Sequence, residues 1–195
     1  MDQAPMDSDW EVEVGGDAPV IEPDWPGFVD LRLQPELIDK IAEATASAPL
    51  AALLLALNRA GSALYTSKCD LWEPEPAALA CYVDLLPREV EVFKSIEQAE
   101  AFCRDAVARL NELEAGDSSS AGQPITASFA ESMETAINLV IRQAVSSKAE
   151  GYGVTAYLSA KSTNAAQTTE ALSAVMTACA EALLSVRLPQ SPIQR

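Results

Sequence analysis

The sequence predicts an α+β fold in which helices cover a mostly antiparallel sheet. Two observations lead to this class. Several segments alternate apolar and polar side chains, which is typical of strands with one buried face. Each pair of such segments is followed by a stretch with apolar residues at about every third or fourth position, which is typical of an amphipathic helix. The chain has 195 residues, of which 49% are apolar, so it can form a substantial core. The expected element order is α-β-β-(β)-α-β-β-α.

An acidic N-terminal arm, residues 1–34, precedes these elements. Residues 1–36 contain ten acidic residues and one basic residue, so more than half of the net charge of −16 lies there. Together with several prolines, this composition resists compact folding. The arm nevertheless contains Trp10, Trp25 and Phe28, which a purely solvating tail does not need. Two hypotheses therefore stay open: the arm packs these aromatic residues on its own domain, or it docks them on a partner.

A single domain is expected over residues 35–188, and it opens with a helical stretch over residues 35–60. Pro35 suits the first turn of a helix, Pro49 must break or kink it, and Gly61 provides a stop. An apolar patch lies on each side of Pro49. The two patches consist of Leu37, Ile38 and Ile41, and of Leu50, Leu53, Leu54 and Leu57.

The next segments, residues 62–72 and 77–86, are predicted to form two paired strands joined by the turn sequence EPEP. Residues 89–95 also alternate and could form a third, short strand. Ser95 is a suitable cap for a helix that follows. The residues expected on one face of the first strand are Tyr65, Cys69 and Leu71, and those on one face of the second are Leu79, Cys81, Val83 and Leu85.

A Gly- and Ser-rich loop, residues 114–124, separates this half from a second one with the same ββα order. Residues 135–145 and 154–161 are the predicted strands, and Ser162, Thr163 or Asn164 can cap the last helix. The shared order is compatible with an internal duplication. A C-terminal tail, residues 189–195, follows Pro189. The side chains expected on one face of the first strand are Ile137, Leu139, Ile141 and Val145, and those on one face of the second are Val154, Ala156, Leu158 and Ala160.

Charge and hydropathy exclude some classes of function. A net charge of −16 argues against direct binding to nucleic acid or to an anionic membrane, because both require a positive surface. The longest apolar stretch, residues 48–57, is too short to cross a bilayer. Since no basic segment followed by an apolar one opens the sequence, we expect a cytoplasmic location.

The residue types available for chemistry are few. The chain has no histidine, so it lacks the usual general base at neutral pH and the common partner of a Ser or Cys nucleophile. Its four cysteines, Cys69, Cys81, Cys103 and Cys179, form no Cys-x-x-Cys pair, and no Gly-rich phosphate loop is present. We therefore expect no metal, no cofactor and no enzymatic activity, with the cysteines acting as small buried apolar residues.

A surface for another protein is the function that these observations favour. The candidate partner-binding residues are aromatic: Trp10, Trp25, Phe28, Trp72, Tyr82 and Tyr157. We predict a non-enzymatic, acidic protein-binding protein, a chaperone or adaptor, and a homodimer, because aromatic strand faces leave apolar surface that one helix layer does not cover. Two alternatives are an acidic mimic of nucleic acid that inhibits a basic target, and a small-molecule-binding module.

The element order on a small, strongly acidic chain resembles that of the class I chaperones of bacterial type III secretion. The resemblance covers roughly residues 35–186 and depends on element order and charge. It implies a dimer that holds an unfolded segment of a secreted effector along its surface. The acidic arm, the Gly- and Ser-rich loop and the chain length depart from the family pattern, and no functional residue is carried over.

Overall fold

The computed structural model describes residues 6–117 and 133–188 and confirms the α+β class. A five-stranded sheet has the strand order β1-β4-β5-β3-β2, and neighbouring strands are antiparallel except for β1, which runs parallel to β4. The strands are β1 (Asp7–Val12), β2 (Leu64–Trp72), β3 (Ala78–Pro87), β4 (Glu134–Val145) and β5 (Glu150–Lys161).

The helices pack on one face of this sheet. The long helix α4 contacts β3, β4 and β5, and α2 and α3 flank it on either side. Apolar side chains of the sheet and of these helices form one large core. The helices are α1 (Ala42–Ala46), α2 (Ala48–Asn58), α3 (Ile96–Asp117) and α4 (Ala165–Ser185), preceded by a 3-10 helix (Pro35–Lys40).

The predicted helix over residues 35–60 is divided into three short pieces. Ile41 and Ser47 have extended backbones and separate the 3-10 helix, α1 and α2. Pro49 lies in the first turn of α2, and the Ser47 hydroxyl caps this helix by accepting from the Leu50 N–H at 3.3 Å. The break expected at Pro49 therefore becomes a new helix start, because proline fits a first turn.

The predicted caps of the two long helices are present. The Ser95 hydroxyl accepts from the Gln98 N–H at 3.4 Å, and the Asn164 side chain accepts from the Gln167 N–H at 3.0 Å. Helix α3 continues to Asp117, past the predicted start of the loop at residue 114. The remainder of that loop and the tail at 189–195 lie outside the described residues.

Strand β2 contains a bulge that changes which side chains share a face. Ser67 and Lys68 together oppose the single residue Asp84 of β3. The extra residue reverses the alternation, so Tyr65 lies on the opposite face from Cys69 and Leu71. The prediction that these three share one face was therefore wrong.

The N-terminal arm contributes the edge strand β1, which the predicted element order lacks. Its pairing with β4 continues beyond the strand, where Ile21 and Ala144 form a parallel bridge. Ile21 is buried, and Trp10 packs against the main core. A boundary at residue 34 thus does not separate the arm from the sheet, and the arm packs on its own domain.

The third strand expected over residues 89–95 is absent. Residues 88–92 form turns and bends, Glu91 has a φ of 62°, and Phe93 makes an isolated bridge to Tyr152. Two apolar residues of this segment are buried for a different reason: Val92 joins a small cluster with Ile21, and Phe93 enters the main core.

Candidate functional site

The site begins with the open face of the sheet, which is the face opposite the helices. At one end of it the arm covers a small apolar cluster formed by Ile21, Tyr65, Leu86, Val92 and Ala144. The aromatic residues of the other end remain partly or largely accessible to solvent. A surface of this kind is available for binding.

Three of the predicted site residues meet on the accessible part of the open face. Trp72 of β2, Tyr82 of β3 and Tyr157 of β5 form an aromatic row, with ring centroids 6.3 Å apart for the first pair and 5.9 Å for the second. The register explains the row, since Tyr82 lies directly opposite Tyr157. Trp72 is 37% exposed and both tyrosines are half-buried.

Arg142 extends the row to β4. Its guanidinium carbon lies 5.5 Å from the centroid of the Tyr157 ring, and it forms an ion pair with Glu13 of the arm at 2.5 Å. A guanidinium over an aromatic face is attracted by the ring quadrupole. One continuous line of side chains therefore crosses the open face from β2 to the arm.

A buried carboxylate lies next to the aromatic row. Asp84 is 7% exposed and accepts a hydrogen bond from the Thr155 hydroxyl at 2.7 Å. Burial raises the pKa of Asp84, and the Thr155 hydrogen bond and the charges of Arg142 and Lys68 oppose this shift. Sequence reasoning missed this group, although an acidic residue inside the apolar run CYVDLL was the available signal.

Tyr82 stays neutral in these surroundings. Burial, followed by the negative charges of Asp84 and Asp70, raises the pKa of Tyr82 to about 12. At neutral pH its hydroxyl is therefore a hydrogen-bond donor and its ring carries no charge.

The other three predicted site residues lie elsewhere. Trp10 points to the helix-covered face, where it packs half-buried against the core. The Trp25 indole lies at the β2 edge and donates to the Ser67 carbonyl at 3.5 Å. Phe28 is half-buried in the turn that follows Trp25. None of the three joins the aromatic row.

Backbone groups of both edge strands are occupied by side chains of the same chain. On β2 the N–H groups of Leu64, Thr66 and Leu71 each donate to a side-chain oxygen. On β1 the Trp10 N–H does the same. The acceptors are Ser62 Oγ at 3.1 Å, Asn58 Oδ1 at 3.1 Å, Asp70 Oδ1 at 2.8 Å and, for Trp10, Asp9 Oδ1 at 2.7 Å. Such contacts make an edge a poorer template for an added strand, most of all on β2, where three N–H groups are occupied.

Two grooves adjoin the open face. A groove of about 420 Å³ lies beside β2 between the arm and α1, and it mixes charged and apolar lining such as Lys40, Ile41 and Leu54. A small-molecule-binding module would need a site of this kind. A shallower groove of about 240 Å³ follows β1 and is lined by Asp7, Asp9 and Glu11.

The cysteines are in surroundings that keep them unreactive. Cys81, Cys103 and Cys179 are buried and Cys69 is half-buried, and all four are free thiols. Burial raises the pKa of Cys69, Cys103 and Cys179 to about 12, so these thiols stay protonated at neutral pH. Within residues 6–117 and 133–188, no group of three or more acidic or cysteine side chains is placed to hold a metal ion.

The helices in the described part of the chain are all too short or too polar to cross a membrane. No protein-family model matches the chain, and no curated protein or solved structure matches it either. The function of the open face therefore has to be inferred from its own side chains.

Proposed function

We propose that the protein is a non-enzymatic binding protein whose open face holds a partner protein with a basic segment. The aromatic row carries this proposal, because Trp72, Tyr82 and Tyr157 form one contiguous patch on a face that none of the described helices covers. Tryptophan and tyrosine are enriched among the residues that dominate binding energy at interfaces. The occupied strand edges favour the face over edge pairing as the binding mode.

Charge supports a basic partner. Two of the basic side chains near the row have acidic partners: Arg142 pairs with Glu13, and Lys161 pairs with Glu75 at 2.7 Å. A third, Lys68, lies over the Trp25 ring and makes no ion pair within the described residues. Asp70 lies on the same face and makes no ion pair within the described residues. Against Lys68 stand the carboxyl groups of Asp70 and Asp84, so acidic groups outnumber unpaired basic ones on this face, as they do in the whole chain, and a positive surface would complement it.

The resemblance to class I type III secretion chaperones extends the proposal to the kind of partner. On this hypothesis the protein acts in the cytoplasm as an acidic chaperone or adaptor and holds a segment of a secreted protein before export. Element order and acidity support this extension, whereas strand β1 is outside the part of the chain that the resemblance covers.

A comparison of matched variants tests the proposal. The wild type, the double variant Trp72→Ala with Tyr157→Ala, and the control Leu33→Ala would be immobilised and exposed to lysate of the native host. Leu33 is 78% exposed and apolar, so its removal controls for loss of exposed apolar surface away from the row. We expect one partner to bind to the wild type and the control and to be lost from the double variant.

The affinity of that partner, once purified, is then measured by calorimetry with the three proteins. Loss of interface anchors of this type should weaken binding at least about tenfold. Equal affinity of the double variant and the wild type, with unchanged melting temperatures, would contradict the proposal.

Mimicry of nucleic acid is the second candidate, and the groove along β1 is the observation that favours it. Asp7, Asp9 and Glu11 occupy every second position of this strand, so they share one side of it and form a row of carboxylates. A mimic would keep its target when the aromatic row is removed and would lose it steeply as salt is raised. The variant Asp9→Asn with Glu11→Gln would weaken such binding, whereas it should affect an interface centred on the aromatic row much less.

A further inference from the structure

Aromatic rings on the open face and at the adjoining β2 edge repeatedly carry a cation from the chain itself. Three such contacts occur, and each places the cationic group within about 6 Å of a ring centroid, the range of a cation–π interaction. They are Arg32 over Tyr65 at 3.9 Å, Lys68 over Trp25 at 5.7 Å and Arg142 over Tyr157 at 5.5 Å.

Trp72 and Tyr82 are different. Within the described residues, neither ring has a cation of the same chain over it. Their rings are inclined by 56° and form an angled pair, which we call the Trp72–Tyr82 corner. Trp72 is the more accessible of the two, at 37% exposure.

An acidic side chain stands beside this corner. Asp70 is exposed, lies directly opposite Tyr82 in the β2–β3 register, and is two residues from Trp72 on the same side of the strand. Its carboxylate accepts the Leu71 N–H and has acceptor capacity left for another donor. An aromatic pair next to a carboxylate offers stacking and charged hydrogen bonding together.

We propose that the Trp72–Tyr82 corner binds an arginine side chain of the partner; this inference depends on the proposed function and specifies the residue that the open face recognises. The planar guanidinium stacks on the Trp72 ring and donates to the Asp70 carboxylate. An ammonium group offers the same charge but no plane to stack, so arginine is preferred over lysine. The neutral state of Tyr82 at physiological pH is compatible with a cation beside its ring.

Synthetic peptides provide a probe that does not require the native partner. One peptide of about twelve residues carries three arginines in a Gly/Ser background, and two others carry lysine or the uncharged isostere citrulline at the same positions. Binding to the full chain is measured by calorimetry at roughly physiological salt, where long-range attraction to the acidic chain is largely screened. We expect the arginine peptide to bind more tightly than the lysine peptide, and the citrulline peptide to bind least.

Variants at Trp72 and Asp70 separate the corner from general electrostatics. Trp72→Leu keeps apolar surface and net charge but removes the ring, and it should weaken binding of the arginine peptide about threefold to tenfold. Trp72→Phe should retain part of the affinity, because it keeps a weaker ring. Asp70→Asn keeps the oxygen that accepts the Leu71 N–H and removes only the charge, so it should also weaken binding.

Glu181→Gln is the matched control, since it removes one charge from an exposed position on α4, away from the open face. Unchanged arginine binding by Trp72→Leu, or equal losses of affinity in Asp70→Asn and Glu181→Gln, would overturn the arginine site.

The two proposals can fail separately. A partner that is lost with Trp72→Ala and Tyr157→Ala, in a protein that does not discriminate arginine from citrulline, supports the binding face and refutes the arginine corner. Arginine discrimination at Trp72, together with a partner that ignores the aromatic row, shows that the corner binds arginine but refutes both the binding face and the partner as the source of that arginine.

Discussion

Asp84, beside the aromatic row, should make the stability of the folded protein depend on pH. Its carboxyl is buried in the sheet, and burial outweighs the Thr155 hydrogen bond and the nearby cations, so its pKa in the folded protein lies above the usual value of an aspartate carboxyl. The folded state therefore binds this proton more tightly than the unfolded state does. It follows that the contribution of Asp84 to stability is greatest at acid pH and is lost as the pH rises from about 4 through the folded pKa.

Replacement of Asp84 by asparagine should remove the loss of stability that accompanies ionisation of the buried carboxyl group. Asp84→Asn keeps an oxygen that can accept from Thr155 and removes the titration. We expect the free energy of unfolding of the variant to gain on that of the wild type as the pH is raised from about 4 to 7, and to exceed it at neutral pH. Urea unfolding at several pH values measures the difference. Thr155→Val should make the free energy of unfolding fall more steeply as the pH rises, because it removes a hydrogen bond to the charged carboxylate. A pH-independent difference between Asp84→Asn and the wild type would contradict the raised pKa of Asp84.

Gly151 is a second residue whose role is set by one contact. A Cβ at this position would lie 2.2 Å from the Phe93 carbonyl oxygen, and Phe93 exchanges two backbone hydrogen bonds of 2.8 Å with Tyr152. Gly151→Ala must therefore displace this bridge, and we expect a loss of about 2–3 kcal/mol in the free energy of unfolding. The control Gly16→Ala places its methyl group in open space and should change stability by less than about 1 kcal/mol. Thermal unfolding of both variants checks the prediction, and similar melting temperatures would contradict it.

Among the elements, the edge strands β1 and β2 share one protective device. In each, an aspartate accepts the N–H of the residue that follows it: Asp9 for Trp10 and Asp70 for Leu71. A buried or occupied edge cannot recruit another strand, and charged residues along an edge discourage pairing further. The open face can thus expose aromatic rings without its neighbouring edges acting as templates for aggregation.

Removal of the Asp9 and Asp70 side chains tests whether these hydrogen bonds protect the strand edges. Asp9→Ala with Asp70→Ala frees two N–H groups, whereas Asp9→Asn with Asp70→Asn removes the same charge and keeps the acceptor oxygens. We expect the alanine pair to associate on heating or concentration and the asparagine pair to stay dispersed, as judged by static light scattering. Equal association of the two pairs would mean that charge, not capping, protects the edges.

At the scale of the whole molecule, the N-terminal arm is part of the folded domain. It supplies β1, the buried Ile21 and the Trp25 indole at the β2 edge. The Glu13–Arg142 ion pair also connects it to the aromatic row. Its acidity, which by composition resists compact folding, is compatible with an edge strand because the carboxylates alternate with side chains that face the helices.

Deletion of residues 1–30 should therefore lower the melting temperature. Trp10→Ala alone is expected to cost about 2 kcal/mol, roughly half the cost of a fully buried tryptophan, and to lower the melting temperature by about 4–8 °C. The deletion should exceed this value, because it also removes β1 and Ile21. Differential scanning calorimetry measures both, with Leu33→Ala as a control. A truncated protein that melts as the wild type does would show that the arm contributes little to folding.

The homodimer expected from the sequence stays a prediction, and a dimer formed through the aromatic row would compete with a partner for the same surface. Two chains of net charge −16 repel each other, so dimerisation should strengthen as salt is raised, whereas binding of a basic partner should weaken. Light scattering coupled to size exclusion, at low and high salt, checks this with the wild type and Trp72→Ala. We expect a dimer at micromolar concentration that Trp72→Ala converts to monomer, and a monomer mass for the wild type at every salt concentration would refute it.

Part of the candidate site could be predicted from the sequence. The alternation of side chains along a strand predicts that Tyr157 lies on the other face of its strand from Val154 and Leu158. It likewise predicts that Tyr82 lies on the other face from Cys81 and Val83. The selection of Trp72, Tyr82 and Tyr157 as interface residues followed from their type. Their meeting in one row depends on the register of three strands, which no local pattern contains.

By itself the sequence determined the α+β class, four of the five strands, the long helices and their Ser95 and Asn164 caps. These features depend on side-chain periodicity and on hydrogen bonds between residues a few positions apart, which a sequence displays directly. Tertiary structure alone decided that β1 joins β4, that a bulge turns Tyr65 away from Cys69, and that the arm covers only one end of the open face. The β1–β4 pairing joins residues more than a hundred positions apart, and its free energy comes from burial and backbone hydrogen bonds formed only when those distant segments meet.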